Sequence, residues 1–121
     1  MKKLSIITPC YNEEVNVEIC AQELKKVMQE KLSGYDYEHI FADNASTDST
    51  LEKLREIAVK DAHIKVISNS RNVGPFRNMW NAMKSATGDA VVPLLPADLQ
   101  DPPSVIPEFV KHWEQGFLVT Y

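Results

Sequence analysis

The sequence predicts an α/β fold, a mostly parallel sheet with helices on both faces. Two observations carry this expectation. Five short apolar runs alternate with four segments whose apolar residues recur at helical spacing, in the order β-α-β-α-β-α-β-α-β. The first four runs are each followed by a polar segment: PCYNEE, DNASTD, NSRNVG and PADLQD. In a parallel sheet with right-handed crossovers, those segments meet beyond the carboxyl ends of the strands, where such sheets bind ligands.

The first strand is the β-branched run Leu4-Ser5-Ile6-Ile7-Thr8, stopped by Pro9. Asn12 is placed to cap the next helix, with Glu13 and Glu14 in its first turn, where the helix dipole favours acids. Val15, Ile19, Leu24, Val27, Met28 and Leu32 give that helix an apolar stripe, and Gly34 ends it. Tyr37 to Ala42 reads as the second strand, and Asp43 to Asp48 as a loop rich in residues that bond their own backbone. Leu51, Leu54, Ile57 and Ala58 mark the second helix, and Ile64 to Ser68 the third strand. After the loop from Asn69 to Gly74, a third helix runs through Met79, Met83 and Ala86 to Gly88. Ala90 to Leu95 is the fourth strand. Pro96 to Pro103 is a loop that no regular element tolerates. Val105 to Glu114 is the last helix, and Phe117 to Tyr121 begins a further strand.

A chain of 121 residues is the size of one domain, so residues 1–121 are read as a single unit. With 44% hydrophobic and 25% charged residues it can bury a core and stay soluble. The net charge is -4, and basic residues are interleaved with acids, as in Glu52-Lys53 and Arg55-Glu56. That argues against a nucleic-acid partner, which needs clustered cations. Cys10 and Cys20 form neither a disulfide framework nor a CxxC metal site, and are read as reduced and buried. The apolar run near the amino terminus is too short for a signal peptide, and no stretch approaches about 18 apolar residues. The expected location is therefore cytoplasmic. His39, His63 and His112 share no metal-like spacing and read as surface or half-buried residues. Tyr35, Tyr37, Phe76, Trp80, Phe109 and Trp113 fall at strand or helix spacing and read as core, not as stacking platforms.

The chemistry rests on the four polar segments. The chain has only four glycines, and the first segment contains no G-x-G-x-x-G or P-loop. Any phosphate charge must be met by a metal or by side chains. Asp98, Gln100 and Asp101 offer oxygen donors suited to Mg²⁺ or Mn²⁺, which commonly bind through one or two carboxylates plus substrate phosphates. The alternative is that Asp98 and Asp101 cap the following helix. Asp43 can accept from a base or a ribose, or form an Asx turn into Ser46-Thr47-Asp48. Glu13 can bind a ribose or favour a helix N-terminus. Arg71 can reach a diphosphate or form a surface ion pair.

Four motifs resemble family-two glycosyltransferases of the Rossmann-like GT-A fold: Ile6-Ile7-Thr8-Pro9-Cys10-Tyr11-Asn12-Glu13-Glu14, Asp43 through Thr50, Arg71-Asn72-Val73-Gly74, and Ala97-Asp98-Leu99-Gln100-Asp101-Pro102-Pro103. The last looks most like the branch of dolichyl-phosphate mannose synthase and bacterial polyprenyl-phosphate sugar transferases. The resemblance covers essentially the whole chain and implies its nucleotide-binding half. It implies that Pro9, Tyr11 and Glu13 line the nucleoside pocket, that Asp43 recognises uracil or guanine, and that Arg71, Asn72 and Gly74 lie near the ribose and diphosphate. Asp98 would match the second acid of the family's D-x-D metal motif, with Gln100 as a further ligand and Asp101 able to substitute. Pro96 stands where that motif has its first acid.

The reaction so implied is sugar transfer with inversion, from a nucleotide-diphosphate sugar to a polyprenyl-phosphate or saccharide acceptor, assisted by Mg²⁺ or Mn²⁺. The full-length protein would then work in the cytoplasm or at the inner face of the membrane. The general base and acceptor half are expected beyond Tyr121, so the chain reads as a truncated domain that binds donor without efficient transfer. A second expectation, of a different class, is an inactive nucleotide-binding or self-assembling module that dimerises through an exposed sheet edge. Other α/β nucleotide enzymes would need a glycine-rich or basic signature after the first strand, which PCYNEE lacks.

Overall fold

A computed structural model describes residues 1–118. Its elements are β1 (Lys3–Cys10), α1 (Val17–Lys31), β2 (Asp36–Asp43), α2 (Thr50–Lys60), β3 (Ile64–Ser68), α3 (Pro75–Lys84), β4 (Ala90–Val92), a 3₁₀ turn (Pro103–Val105) and α4 (Ile106–Glu114). The strands form one parallel sheet in the order β3-β2-β1-β4.

Period-two alternation along the central strands divides the core between two faces. Leu4, Ile6, Cys10, Tyr37, Phe41 and Ile64 pack with Val17, Cys20, Leu24 and Met28 of α1, Leu54 of α2, and Ile106 and Val110 of α4. Ile7, Ile40 and Ala42 point the other way and pack on Ala82 of α3, with Met83 and Ala86 beside it. Helices therefore cover both faces, as the alternation predicts.

Several boundaries move. Asn12 does not cap α1: it has φ 53, and Glu13 carbonyl oxygen accepts from the Asn16 and Val17 N–H groups in a turn that precedes the helix. Glu13 and Glu14 thus lie outside α1. Docking on the sheet buries Val17, Cys20, Leu24 and Met28, with Leu32 just past the end, and leaves Val15 and Ile19 exposed. Helix α3 ends at Lys84, before Ala86, and Val105 belongs to the 3₁₀ turn. β4 stops at Val92 because Pro93 has no N–H for the ladder, although Leu95 N–H still donates to the Ile7 carbonyl at 2.8 Å. Of the strand expected from Phe117, residues 117 and 118 are irregular, and 119–121 lie outside the described residues.

Two aromatic expectations also fail. Phe76 and Trp80 are 80% and 58% exposed on α3, not core. His39, expected to be at the surface or half-buried, is fully buried in β2, with Nε2 2.7 Å from Thr8 Oγ1. Desolvation holds its imidazole down at about 3, so it is neutral in the fold.

At the amino-terminal end of the α3-side face, the buried Glu38 carboxylate clasps four segments. It accepts from Ser5 Oγ (2.6 Å), Thr87 N–H (2.7 Å), Thr87 Oγ1 (3.1 Å) and Lys65 Nζ, with Lys3 Nζ at 3.5 Å. Burial pushes its pKa up, but the bonds from Lys65, Ser5 and Thr87 outweigh it and hold the group at about 2. Gly88 completes the clasp by donating its N–H to Ser5 Oγ at 2.8 Å. A Cβ at Gly88 would lie 2.6 Å from Ser5 Oγ, 2.8 Å from Ser5 N and 2.9 Å from Lys3 O. Two of those neighbours are backbone and cannot yield, so Gly88→Ala is expected to cost about 1–3 kcal/mol in thermal unfolding. Gly34→Ala, with no atom within 4 Å, serves as the control. Equal melting temperatures for the two variants would refute the steric account.

Candidate functional site: the carboxyl edge of the sheet

The parallel sheet brings the segments after β1, β2, β3 and β4 to one edge, and hydrogen bonds stitch them together. Asn12, extending from β1, places its Oδ1 2.8 Å from Thr47 N–H and 3.3 Å from Asp48 N–H, while its own N–H donates to Ser46 Oγ. Glu13 N–H donates to Thr50 Oγ1 at 2.9 Å, and Glu14 accepts from Ser49 N–H at 3.0 Å. The first two loops thus form one unit, with the β1 loop capping the amino end of α2 from outside.

The third loop is held by asparagines. Asn44, buried at the end of β2, donates to Asn72 Oδ1 (2.9 Å) and accepts from Asn69 Nδ2 (3.1 Å) and Val73 N–H (2.9 Å). Asn78 of α3, also buried, accepts from Asn69 Nδ2 and donates to the Ala42 carbonyl, both at 2.9 Å. Asn72 Oδ1 also accepts from Gly74 N–H at 2.9 Å, and Gly74 takes φ 88, ψ 159, a conformation open essentially to glycine alone. Reading the sequence missed Asn44, Asn69 and Asn78. The available signal was Asn69, Asn72 and Asn78 within ten positions, since a primary amide both donates and accepts and can bridge loops; Asn44 had no such neighbour pattern.

The expected site residues are now placed. Asp43 is buried, with Oδ1 2.5 Å from Ser46 Oγ and Oδ2 3.3 Å from Ser46 N–H, so the Asx-type turn is formed. Glu13 is half-buried and accepts from Asn16 Nδ2 at 2.8 Å. Pro9 is half-buried in β1, and Tyr11 is exposed. Arg71 and Asn72 are exposed, and Arg71 forms no ion pair among the described residues. Asp98, Gln100 and Asp101 are exposed on the fourth loop, where Asp98 Oδ1 accepts from Gln100 N–H at 3.2 Å and Leu99 takes φ 60. Neither Asp98 nor Asp101 caps α4, whose first residue follows the 3₁₀ turn without a side-chain cap.

The two thiols mark where three loops converge. Burial chiefly pushes Cys20 up to about 11; Thr8 pulls the other way, and the carboxylates of Glu13 and Asp98 add to the rise. Burial likewise raises Cys10 far above its usual range, reinforced by Cys20, Asp43 and Glu13. Cys20 Sγ also lies 4.0 Å from the Pro96 carbonyl. Cys20 thus lies between Thr8 of β1, 3.8 Å from its Oγ1, and the start of the fourth loop. Neither concavity of about 260 and 280 Å³ is lined by these loops; both open at the opposite end, around Tyr35, Tyr37 and His63, and around Lys2, Trp113 and Glu114.

Among the described residues, no three His, Cys, Asp or Glu side chains are grouped to hold a metal on their own. Asp98, Gln100 and Asp101, all exposed on the fourth loop, offer oxygen donors of the kind that would suit a hard cation completed by phosphate and water.

The comparisons agree with this geometry. The family model "Glycosyl transferase family 2" matches residues 5–121. An uncharacterized glycosyltransferase, YkcC of Bacillus subtilis (strain 168), is 39% identical over 117 residues, covering 97% of this chain and 35% of the relative. A prophage bactoprenol glucosyl transferase homolog of Escherichia coli (strain K12) is 33% identical over 114 residues, covering 94% of this chain and 36% of the relative. The chain thus spans about a third of the length of these curated relatives. Among solved structures, glucosyl-3-phosphoglycerate synthase of Mycobacterium tuberculosis, in complex with Mn²⁺, UDP and phosphoglyceric acid, superposes with a TM-score of 0.68 at 26% identity, covering 93% of this chain and 39% of that one. With its parallel sheet, two-sided helices and four-loop edge, the chain has the GT-A-like α/β fold and belongs to glycosyl transferase family 2.

Proposed function

We propose that this chain is the donor-binding part of an inverting glycosyltransferase that takes a nucleotide-diphosphate sugar and serves a polyprenyl-phosphate acceptor. The observation that carries the reading is the hydrogen-bonded edge beyond β1, β2 and β3, where Glu13 N–H meets Thr50, Asp43 meets Ser46, and Asn44 holds the loop that exposes Arg71. The bactoprenol glucosyl transferase homolog supports a lipid-phosphate acceptor, and the Mn²⁺–UDP complex of the structural neighbour supports the donor and the metal. Within the family, the fourth motif favours the branch of dolichyl-phosphate mannose synthase and polyprenyl-phosphate sugar transferases.

In this reading Pro9, Tyr11 and Glu13 border the nucleoside. Asp43 has lone pairs beyond those that Ser46 uses and accepts from the base. The third loop's backbone is already fixed by Asn44 and Asn72, so Arg71 meets the diphosphate from an ordered segment. Asp98, with Gln100 and Asp101 on the same loop, would hold Mg²⁺ or Mn²⁺. When bound, that ion supplies positive charge against the departing diphosphate. The bond from the anomeric carbon to the diphosphate oxygen breaks as the acceptor oxygen attacks the opposite face, and the acceptor proton passes to a general base.

Calorimetric titration of UDP, with GDP alongside, tests this. Binding is expected to require Mn²⁺ and to weaken at least about tenfold in Asp98→Ala, whose exposed side chain leaves the fold intact. Absence of binding to either nucleotide in a folded chain would overturn the donor-site reading. The self-assembling alternative would then be favoured, although β4 offers an edge of only three residues for pairing.

A further inference from the structure

We propose that the outward face of α3 is a docking surface for an anionic lipid bilayer. The inference stands on charge and exposure and does not rest on the acceptor proposed above.

The charge of the chain is segregated. Residues 62–88 contain Lys65, Arg71, Arg77 and Lys84 and not one of the seventeen acids, in a chain whose net charge is -4. Lys65 is neutralised by Glu38. Arg71, Arg77 and Lys84 are exposed and form no ion pair among the described residues. Helix α3 lies at the centre of this segment and buries Asn78 and Ala82 against the sheet.

At 100° per residue, Phe76, Trp80 and Lys84 form one i, i+4, i+8 row on the side away from Ala82, and Arg77 lies beside Trp80. Phe76 and Trp80 are 80% and 58% exposed. Met79 and Met83, half-buried, extend the apolar surface back toward the sheet. A row of aromatic and methionine side chains bordered by unpaired cations is the pattern of a helix that lies in a membrane interface: rings enter the headgroup region while Arg and Lys stay with the anionic phosphates. Because α3 begins at Pro75, four residues after Arg71, docking this face would set the Arg71 loop close to the lipid headgroups.

Co-sedimentation of the chain with sonicated vesicles decides it. Binding to vesicles of equimolar phosphatidylcholine and phosphatidylglycerol is expected to exceed binding to pure phosphatidylcholine at least about tenfold, and to fall with added salt. The double variants Phe76→Ser/Trp80→Ser and Arg77→Gln/Lys84→Gln should each lose about tenfold or more while keeping the parent's circular dichroism, since all four side chains are exposed. Equal binding to both vesicle types, or variants that bind like the parent, would overturn the proposal. So would a concentration-dependent dimer, with no lipid binding, that is abolished by Phe76→Ser/Trp80→Ser.

Discussion

Acidification from about pH 7 to about pH 4 is expected to destabilise the chain steeply, and His39 is the principal cause. The imidazole is neutral inside the fold because burial lowers it from 6.5 to about 3. An unfolded chain binds the proton below 6.5, whereas the native state refuses it until about 3. The unfolded state therefore holds more protons across that window, and stability falls as pH drops through it. The difference corresponds to roughly 4–5 kcal/mol when fully expressed, a large share of the usual stability of a small domain. Glu38 acts in the same direction at lower pH. Its folded value of about 2 lies below the ordinary 4.5 of a glutamate, so its contribution is complete above 4.5 and is lost as pH falls toward 2. Urea midpoints measured across this range would show a continuous decline, and His39→Gln should flatten the segment between about pH 6.5 and pH 4.5. A parent curve that is flat there would show that the imidazole reaches water in the native state.

Asn78→Ala is expected to cost about 2–4 kcal/mol and to weaken nucleotide binding as well. The side chain is buried and makes two bonds, to the Ala42 carbonyl and from Asn69 Nδ2. Truncation takes the side-chain donor from the Ala42 carbonyl and leaves Asn69 Nδ2 with only its bond to Asn44, and it opens a cavity where the amide was. Asn69 is the link between α3 and Asn44, and Asn44 in turn holds Asn72 and Val73 N–H. Losing Asn78 thus loosens the loop that carries Arg71. Asn81→Ala, exposed on the same helix, should stay within about 0.5 kcal/mol of the parent and bind UDP normally. If Asn78→Ala lowers the unfolding midpoint but leaves UDP affinity unchanged, the asparagine network supports the fold and not the site.

The sequence by itself determined the fold class and the edge where the chemistry lies. Alternation of β-branched runs with helical stripes admits few arrangements other than a parallel sheet between helix layers, and a parallel sheet places every strand's exit at the same side. Asp43, Arg71 and Asp98 were therefore legible as edge residues from spacing alone. Local periodicity could not decide which side of a helix is covered. Ile19 fits a stripe as well as Cys20 does, but only docking on the sheet selects Cys20. Phe76 and Trp80 sit at core-like spacing, yet α3 turns Asn78 and Ala82 inward and leaves the rings outside. Partners distant in sequence were equally hidden: Glu38 with Lys65 and Thr87, His39 with Thr8, Asn44 with Asn69 and Asn72, and Asn12 with Thr47. A polar side chain's character depends on what replaces its water, and only the tertiary structure supplies that partner.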